Sequence, residues 1–253
     1  MDNSSVATLG VVRKTILITG ASAGLGAEMA RQFSAMGRTL ALCARRAEEL
    51  ERLRSALPGP ASVRVLDVTD HDAVFAVFGA FAAEFGTLDR VVVNAGIGKG
   101  RPIGTGGFAA NRRTAETNFV AALAQAEAAM EIFRRQGHGH LVLVSSVSAL
   151  RGLPGSATAY AATKAGVSAL AEGIRADVLG TPIKVSAILP GYIRTELNAR
   201  LRAPLMVDTV VGVRAMVRAI EREAPRALVP GWPWRVLAPV VRHAPLRVLK
   251  RVL

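Results

Sequence analysis

The stretch Lys14-Thr15-Ile16-Leu17-Ile18-Thr19-Gly20-Ala21-Ser22-Ala23-Gly24-Leu25-Gly26 decides how the rest of the chain is read. A β-rich run from Lys14 to Thr19 passes through a glycine-rich turn into a helical pattern from Gly24 to about Met36. Its glycines fall where a chain must turn sharply, approach a pyrophosphate closely and begin a helix whose free N–H groups face an anion. The spacing is GxxxGxG rather than GxGxxG.

The same alternation continues outward. Apolar runs at Thr39–Ala44, Ser62–Leu66, Asp89–Val93, Leu141–Ser145, Ile183–Leu189 and Ala227–Val229 read as strands. Helical patterns at Glu48–Leu57, Asp70–Phe85, Asn111–Arg135, Thr158–Leu179 and Val207–Glu223 lie between them. Nearly continuous Val/Ile/Leu strands separated by helices are what a parallel sheet buried on both faces requires, since each crossover carries a helix. The expectation is one doubly wound α/β domain over residues 1–229, with a parallel sheet of about seven strands and helices on both faces.

Composition agrees. At 253 residues, 51% hydrophobic and 20% charged, the chain suits a globular domain and excludes disorder, collagen and coiled coil. Apolar runs break well before the roughly 18 residues of a spanning helix, and no leader-like segment opens the chain, so a soluble cytoplasmic protein is expected. The single cysteine, Cys43, lies in an apolar strand and reads as a small core residue in a reducing compartment. No metal site is expected: His138 and His140 flank Gly139 with no cysteine or carboxylate at ligand spacing, and read as loop histidines. The net charge of +13 raises an anionic ligand, a lipid surface or nucleic acid as partners. Nucleic acid is disfavoured, because the arginines are spread through every helix and no binding module is recognisable.

Further motifs follow in order: Asp67-Val68 after the third strand, Asn94-Ala95-Gly96 after the fourth, Asn118 in a helix and Ser145-Ser146 ending the fifth strand. Tyr160-Ala161-Ala162-Thr163-Lys164 then gives a YxxxK signature, and Pro190-Gly191 precedes Ile193 and Thr195. Together with the first turn, these resemble the short-chain dehydrogenase/reductase family from about Lys14 to Val229. The resemblance implies a Rossmann-type fold holding a nicotinamide cofactor. Gly20, Ser22, Ala23, Gly24, Leu25 and Gly26 would cradle its pyrophosphate, Asp67 and Val68 its adenine, and Asn94, Ala95 and Gly96 its flank. Pro190, Gly191, Ile193 and Thr195 would hold the nicotinamide, with Tyr160 and Lys164 touching the same end.

It also implies a catalytic set of Asn118, Ser146, Tyr160 and Lys164 acting on a carbonyl or alcohol. A tyrosine of ordinary pKa near 10 is a poor base at neutral pH. Lys164, four residues on and so on the same helix face, favours its phenolate. Ser146 would hold the substrate oxygen, and Asn118 would anchor a water linking Lys164 to solvent. The family's serine usually stands 13 residues before the tyrosine, whereas Ser146 stands 14 before Tyr160. A one-residue insertion after Pro154 explains the difference, and Ser148 stays open as an alternative.

At the end of the second strand Leu42-Cys43-Ala44-Arg45-Arg46 has no acid for ribose hydroxyls. Arg45 and Arg46 at a helix start favour an anion nearby, hence NADP(H) over NAD(H). Thr195 to Val207 corresponds to the family's variable substrate lid; Leu197, Leu201, Leu205 and Met206 stand there against Arg194, Arg200 and Arg202. With the apolar tail this suggests a lipophilic substrate such as a fatty aldehyde, a ketone or a polycyclic alcohol. The tail, residues 230–253, holds both tryptophans, five cations and no acid. After Pro245 it reads as a short basic amphipathic helix through Leu246, Leu249, Val252 and Leu253. It either packs over the substrate cleft of its own or another subunit, or meets a membrane surface peripherally. Family members commonly form homodimers or homotetramers through the two long helices, here about Asn111–Arg135 and Thr158–Leu179. A non-catalytic NADP(H) sensor and a lipid-surface scaffold are the competing functions.

Overall fold

The computed structural model describes residues 12–196 and 205–248. Seven strands form one wholly parallel sheet: β1 (Thr15–Thr19), β2 (Thr39–Ala44), β3 (Ala61–Val65), β4 (Arg90–Val93), β5 (Gly139–Val144), β6 (Ile183–Pro190) and β7 (Arg226–Val229). Their order across the sheet is β3-β2-β1-β4-β5-β6-β7, so the winding reverses between β1 and β4. That reversal opens a crevice at the carboxyl ends of the strands.

Both faces of the central strands are dry because alternate residues along them meet a helix layer. Ile16 and Ile18 of β1 face one way, with Leu40 and Leu42, onto helices α1 (Gly24–Ala35), α2 (Ala47–Ala56) and α7 (Thr209–Glu221), where Met29, Phe33, Leu50 and Met216 pack. Leu17 faces the other way, with Ala41 and Cys43, onto α3 (His71–Phe85), α5 (Ala121–Gln136) and α6 (Thr158–Asp177), among Phe78, Phe81, Phe133 and Val167. Cys43 is fully buried, which pushes its thiol up to about 12. The Asp70 carboxylate starts α3 by accepting from the Ala73 amide at 3.0 Å, and Gly137 in a left-handed conformation ends α5.

The pattern expected as one helix over Asn111–Arg135 is two helices. Helix α4 (Phe108–Ala115) joins α5 through a π-helical turn, Glu116–Val120, that contains Asn118. Apolar periodicity does not reveal one wide turn, since the residues on each side keep helical spacing. The carboxyl-terminal segment also differs from expectation. A helix α8 (Gly231–His243) precedes Pro245, and a further turn occupies 246–248; Leu249, Lys250, Arg251, Val252 and Leu253 lie outside the described residues.

His140 is no loop histidine. It lies in β5 with its side chain fully buried, accepting from Arg90 Nε at Nδ1 (2.9 Å) and meeting Ser186 Oγ at Nε2 (2.8 Å). Arg90 also pairs with Glu221 and donates to the Ile220 carbonyl at 3.3 Å. Arg13 pairs with Glu223, and Arg38 with Glu221, each at 2.8 Å. This network joins the amino ends of the central strands to the end of α7, opposite the crevice. Burial, then the charges of Arg90 and Arg13, hold the His140 pKa well below its ordinary 6.5. A folded pKa below the unfolded one means stability is full above about pH 6.5 and is lost as pH falls below it. Thermal unfolding between pH 7 and 5 should therefore show a falling midpoint. The slope should flatten in His140→Leu, which at pH 7 costs about 1–3 kcal/mol because Arg90 Nε and Ser186 lose their partner.

Candidate active site

The first turn is built so that backbone, not side chain, faces the crevice. Gly20 holds a positive φ of 65°, and a Cβ on Gly26 would lie 2.3 Å from the Gly20 carbonyl oxygen and 2.8 Å from Asn94 Nδ2. Asn94 crosses from β4: its Nδ2 donates to the Thr19 carbonyl at 2.9 Å, while the amides of Asn94 and Ala95 both donate to Thr19 Oγ1, at 3.0 and 3.1 Å. Helix α1 then starts at Gly24 with no side-chain cap on Ala23 and no acid in its first turn. Its first N–H groups and positive dipole end are thus left to an anion.

A groove of about 620 Å³ runs past this turn. Gly20, Ser22, Ala23, Gly24 and Leu25 form one side; Arg45, Arg46, Asp67 and Val68 form the far end. Asn94, Ala95, Gly96 and Thr195 close the near side. Gly26 is buried behind the turn and shapes it. Lys99, Glu196 and, from the π turn beside Asn118, Thr117 also line the groove.

The two arginines stand differently. Arg46 donates from Nε to Ser22 Oγ at 3.2 Å and reaches Glu196 only at 4.0 Å; Arg45 lies 3.9 Å from Asp67. Both are largely exposed. Glu48 and Glu49 occupy the first turn of α2, so the dipole penalty that the arginines were expected to bring is already offset by neighbouring acids. The cations face the groove all the same. Asp67 accepts from the Thr69 amide and hydroxyl at 3.0 and 2.8 Å. Burial raises its pKa, but the Thr69 bonds and then Arg45 outweigh that, leaving the carboxyl below its ordinary value.

At the near end Gly96 joins the groove to a second group of side chains. A Cβ there would lie 3.2 Å from Asn118 Oδ1 and 3.6 Å from Lys164 Nζ, so three predicted residues converge on one point. The π turn aims Asn118 at the loop after β4: its Oδ1 accepts from the Ile97 amide and its Nδ2 donates to the Ile97 carbonyl, each at 2.8 Å. Both ends of the amide are thus engaged. Lys164 is buried, with Nζ donating to the Val144 carbonyl at 2.8 Å and 5.9 Å from the centre of the Tyr160 ring. Burial lowers the Lys164 pKa to about 8. Burial raises that of Tyr160; a hydrogen bond with Ser146 works the other way, and the nearby Tyr192 phenol adds to the rise.

The serines separate by contact. Ser145 Oγ donates to the Lys164 carbonyl at 2.7 Å and meets Ser168 Oγ at 2.8 Å, which ties β5 to α6. Ser146 Oγ meets the Tyr160 hydroxyl and accepts from the Ser148 amide at 3.1 Å. Between Pro154 and Tyr160 the chain runs through a 3₁₀ turn, Gly155–Ala157, entered through Gly155 at φ 68°.

Pro190 and Gly191 end β6, where the Gly191 amide donates to the Val229 carbonyl at 2.8 Å. Ile193 turns its side chain into the core against Gly212 of α7 and bridges to Val207 along the backbone. Leu205, Met206 and Val207 return the chain to α7, whereas Leu197, Arg200, Leu201 and Arg202 lie outside the described residues. Two aromatics were not foreseen. Tyr192 is half-buried, and the edge of its ring meets Trp234 of α8 at 5.7 Å between centroids. Trp234 is buried over Gly191, where any Cβ would collide with the indole. The chain's second tyrosine, standing directly after Pro190-Gly191, was the available signal for the first; no motif marks the second.

The family model for short chain dehydrogenases matches residues 14–205. An uncharacterized oxidoreductase of Mycobacterium tuberculosis is 51% identical over 248 residues, covering 96% of this chain and 98% of its own length. Among solved structures, a short-chain dehydrogenase from Streptomyces avermitilis superposes with a TM-score of 0.80 at 27% identity, covering 95% of each chain. Levodione reductase superposes with a TM-score of 0.69 at 30% identity, covering 74% of each. With a matching family model over most of its length and a sheet wound in the same way, this chain belongs to the short-chain dehydrogenase family of oxidoreductases.

Proposed function

We propose that this protein is an NADP(H)-dependent oxidoreductase that interconverts a lipophilic carbonyl compound and its alcohol. The observation that carries the reading is the convergence of Tyr160, Lys164, Ser146 and Asn118 at the near end of a groove that suits a dinucleotide. That fit rests on the bare first turn of α1, on the space that Gly20 and Gly26 keep free of side chains, and on the groove's volume of about 620 Å³. The nicotinamide, when bound, supplies or accepts the hydride.

The chain's own residues handle the proton and the charge. In the reducing direction Tyr160 gives its hydroxyl proton to the carbonyl oxygen, which Ser146 holds by a hydrogen bond. The raised pKa keeps Tyr160 protonated but makes it a weaker proton donor, so the transfer depends on a cation that stabilises its phenolate. Lys164 supplies that charge one helical turn away, held in place by the Val144 carbonyl. Because the Asn118 amide is committed to Ile97, its part is to fix the loop after β4 next to Lys164; a water in the proton path would sit on backbone carbonyl groups rather than on this amide. Arg45 and Arg46 would hold the 2′-phosphate, since their contacts with Asp67 and Glu196 are weak enough to yield to a stronger anion. The lipophilic substrate follows from the aromatic wall of Tyr192 and Trp234 and the apolar residues of the lid.

Consumption of NADPH and NADH by the purified chain across lipophilic aldehydes and ketones tests the class. NADPH should be preferred, and Tyr160→Phe should lower kcat by about 10²–10⁴-fold while leaving cofactor binding in place. An Arg45→Gln, Arg46→Gln double variant should raise KM for NADPH on the order of tenfold or more and leave that for NADH nearly unchanged. Equal use of both cofactors by the parent chain would remove the assignment to NADP(H).

The pH profile tests the role of Lys164. With its pKa at about 8, the ammonium is present below that value and lost above it. kcat/KM for reduction should therefore hold level below pH 8 and decline above it. In Lys164→Arg, whose guanidinium does not deprotonate, residual activity should lack the decline.

A further inference from the structure

Residues 224–253 contain six cations and no acid. Helix α8, within this segment, is anchored on one side only. Trp234 packs on Gly191 and Tyr192, Leu237 and Val241 are half-buried beside it, and Arg151 Nη1 donates to the carbonyls of Arg242 (3.1 Å) and Ala244 at the far end. These contacts fix which face of α8 turns outward. An outward face that met only water would be polar. Instead Val236 and Val240, one turn apart, are 58% and 62% exposed, after Trp232 at 77% and before Leu246 at 68%. Arg235 and Arg242, both exposed, border that stripe on one side, and His243 and Arg247 follow at and beyond the helix end. Single exposed apolar residues are ordinary, but two valines on one helix face, with an exposed tryptophan in the kink that precedes them and cations beside them, suit an interfacial helix. Next to the helix end, a cavity of about 220 Å³ is lined by Arg175, Arg226 and Arg242 together with Glu172, an excess of guanidinium groups of the kind that receives a phosphate.

We propose that the outer face of α8 docks this protein on an anionic phospholipid surface. Valine side chains and Trp232 enter the boundary between headgroups and acyl chains, while Arg235 and Arg242 meet lipid phosphates. Charge selects this occupant over a second copy of the chain. A two-fold contact would set the same arginine-rich face against itself, and the segment has no acid to pair with them. The helix begins at the turn after β7, on the same edge of the sheet as Gly191, so docking brings the site's mouth to the lipid. No helix among the described residues is long and apolar enough to cross a membrane, so the contact is peripheral.

Flotation of the full chain with vesicles of phosphatidylcholine alone, and of phosphatidylcholine mixed with phosphatidylglycerol, tests this without reference to catalysis. Binding should occur only with the anionic vesicles and disappear at high salt. Arg235→Gln with Arg242→Gln, and separately Val236→Ser with Val240→Ser, should each weaken it by roughly tenfold or more. Unchanged thermal midpoints would show that both variants fold. Absence of flotation with anionic vesicles, or flotation indifferent to both pairs, overturns the proposal. So does a non-floating parent dimer that the valine pair converts to monomer, which would assign the face to a second copy.

Discussion

Everything at the carboxyl edge of the sheet depends on the bond that Asn94 makes across the point where the winding reverses. Two parallel strands of opposite winding send their chains apart, and the crevice between them would collapse or gape without a strut. The Asn94 amide spans it to the Thr19 carbonyl, and Thr19 returns the tie by accepting from two successive amides of the Asn94 loop. With these groups satisfied inside the fold, the turn from Gly20 to Gly26 is held open, and the unpaired N–H groups of α1 remain the accessible ones. A side chain at Gly26 would displace the strut and fill the cradle in the same stroke.

On the other side of Gly96 the governing quantity is burial. Lys164 has lost most of its water and holds one backbone carbonyl in exchange, so its charge is only just maintained near neutral pH. That makes it sensitive to whatever anionic or polar groups enter beside it. The π turn serves the same geometry. By widening one turn it directs Asn118 at Ile97 instead of along the helix surface, and so fixes the loop that forms the roof over Lys164.

The alternation of strands and helices, the helices on both faces of the sheet and the first turn were legible because each rests on a local pattern: apolar runs such as β1, glycine spacing at 20, 24 and 26, and the four-residue step from Tyr160 to Lys164. What escaped depends on tertiary partners. His140 reads as a loop residue beside Gly139, and only the approach of Arg90 and Ser186 makes a buried strand position tolerable for it. The wide turn at Asn118 leaves no trace in hydrophobic period, and the tail's composition left packing on the cleft and a membrane surface both open, with nothing to mark Trp234 as the residue that covers Gly191. His140 and Trp234 owe their places to contacts between residues far apart in sequence.

Arginine illustrates why composition alone could not assign the positive charge. At the amino edge, Arg13, Arg38 and Arg90 are consumed by Glu221 and Glu223 at close range, and their charge does structural service. At the carboxyl edge, Arg45 and Arg46 meet acids only at 3.9 and 4.0 Å, longer than a hydrogen bond, and stay largely exposed to water. On α8, Arg235 and Arg242 are exposed on a segment without acids. A guanidinium held by short bonds inside the fold gains little by exchanging them, whereas one held loosely at the rim loses almost nothing when an external anion arrives. The chain's excess of cations therefore divides by the tightness of existing contacts, and only the loosely held share is free energy available for binding.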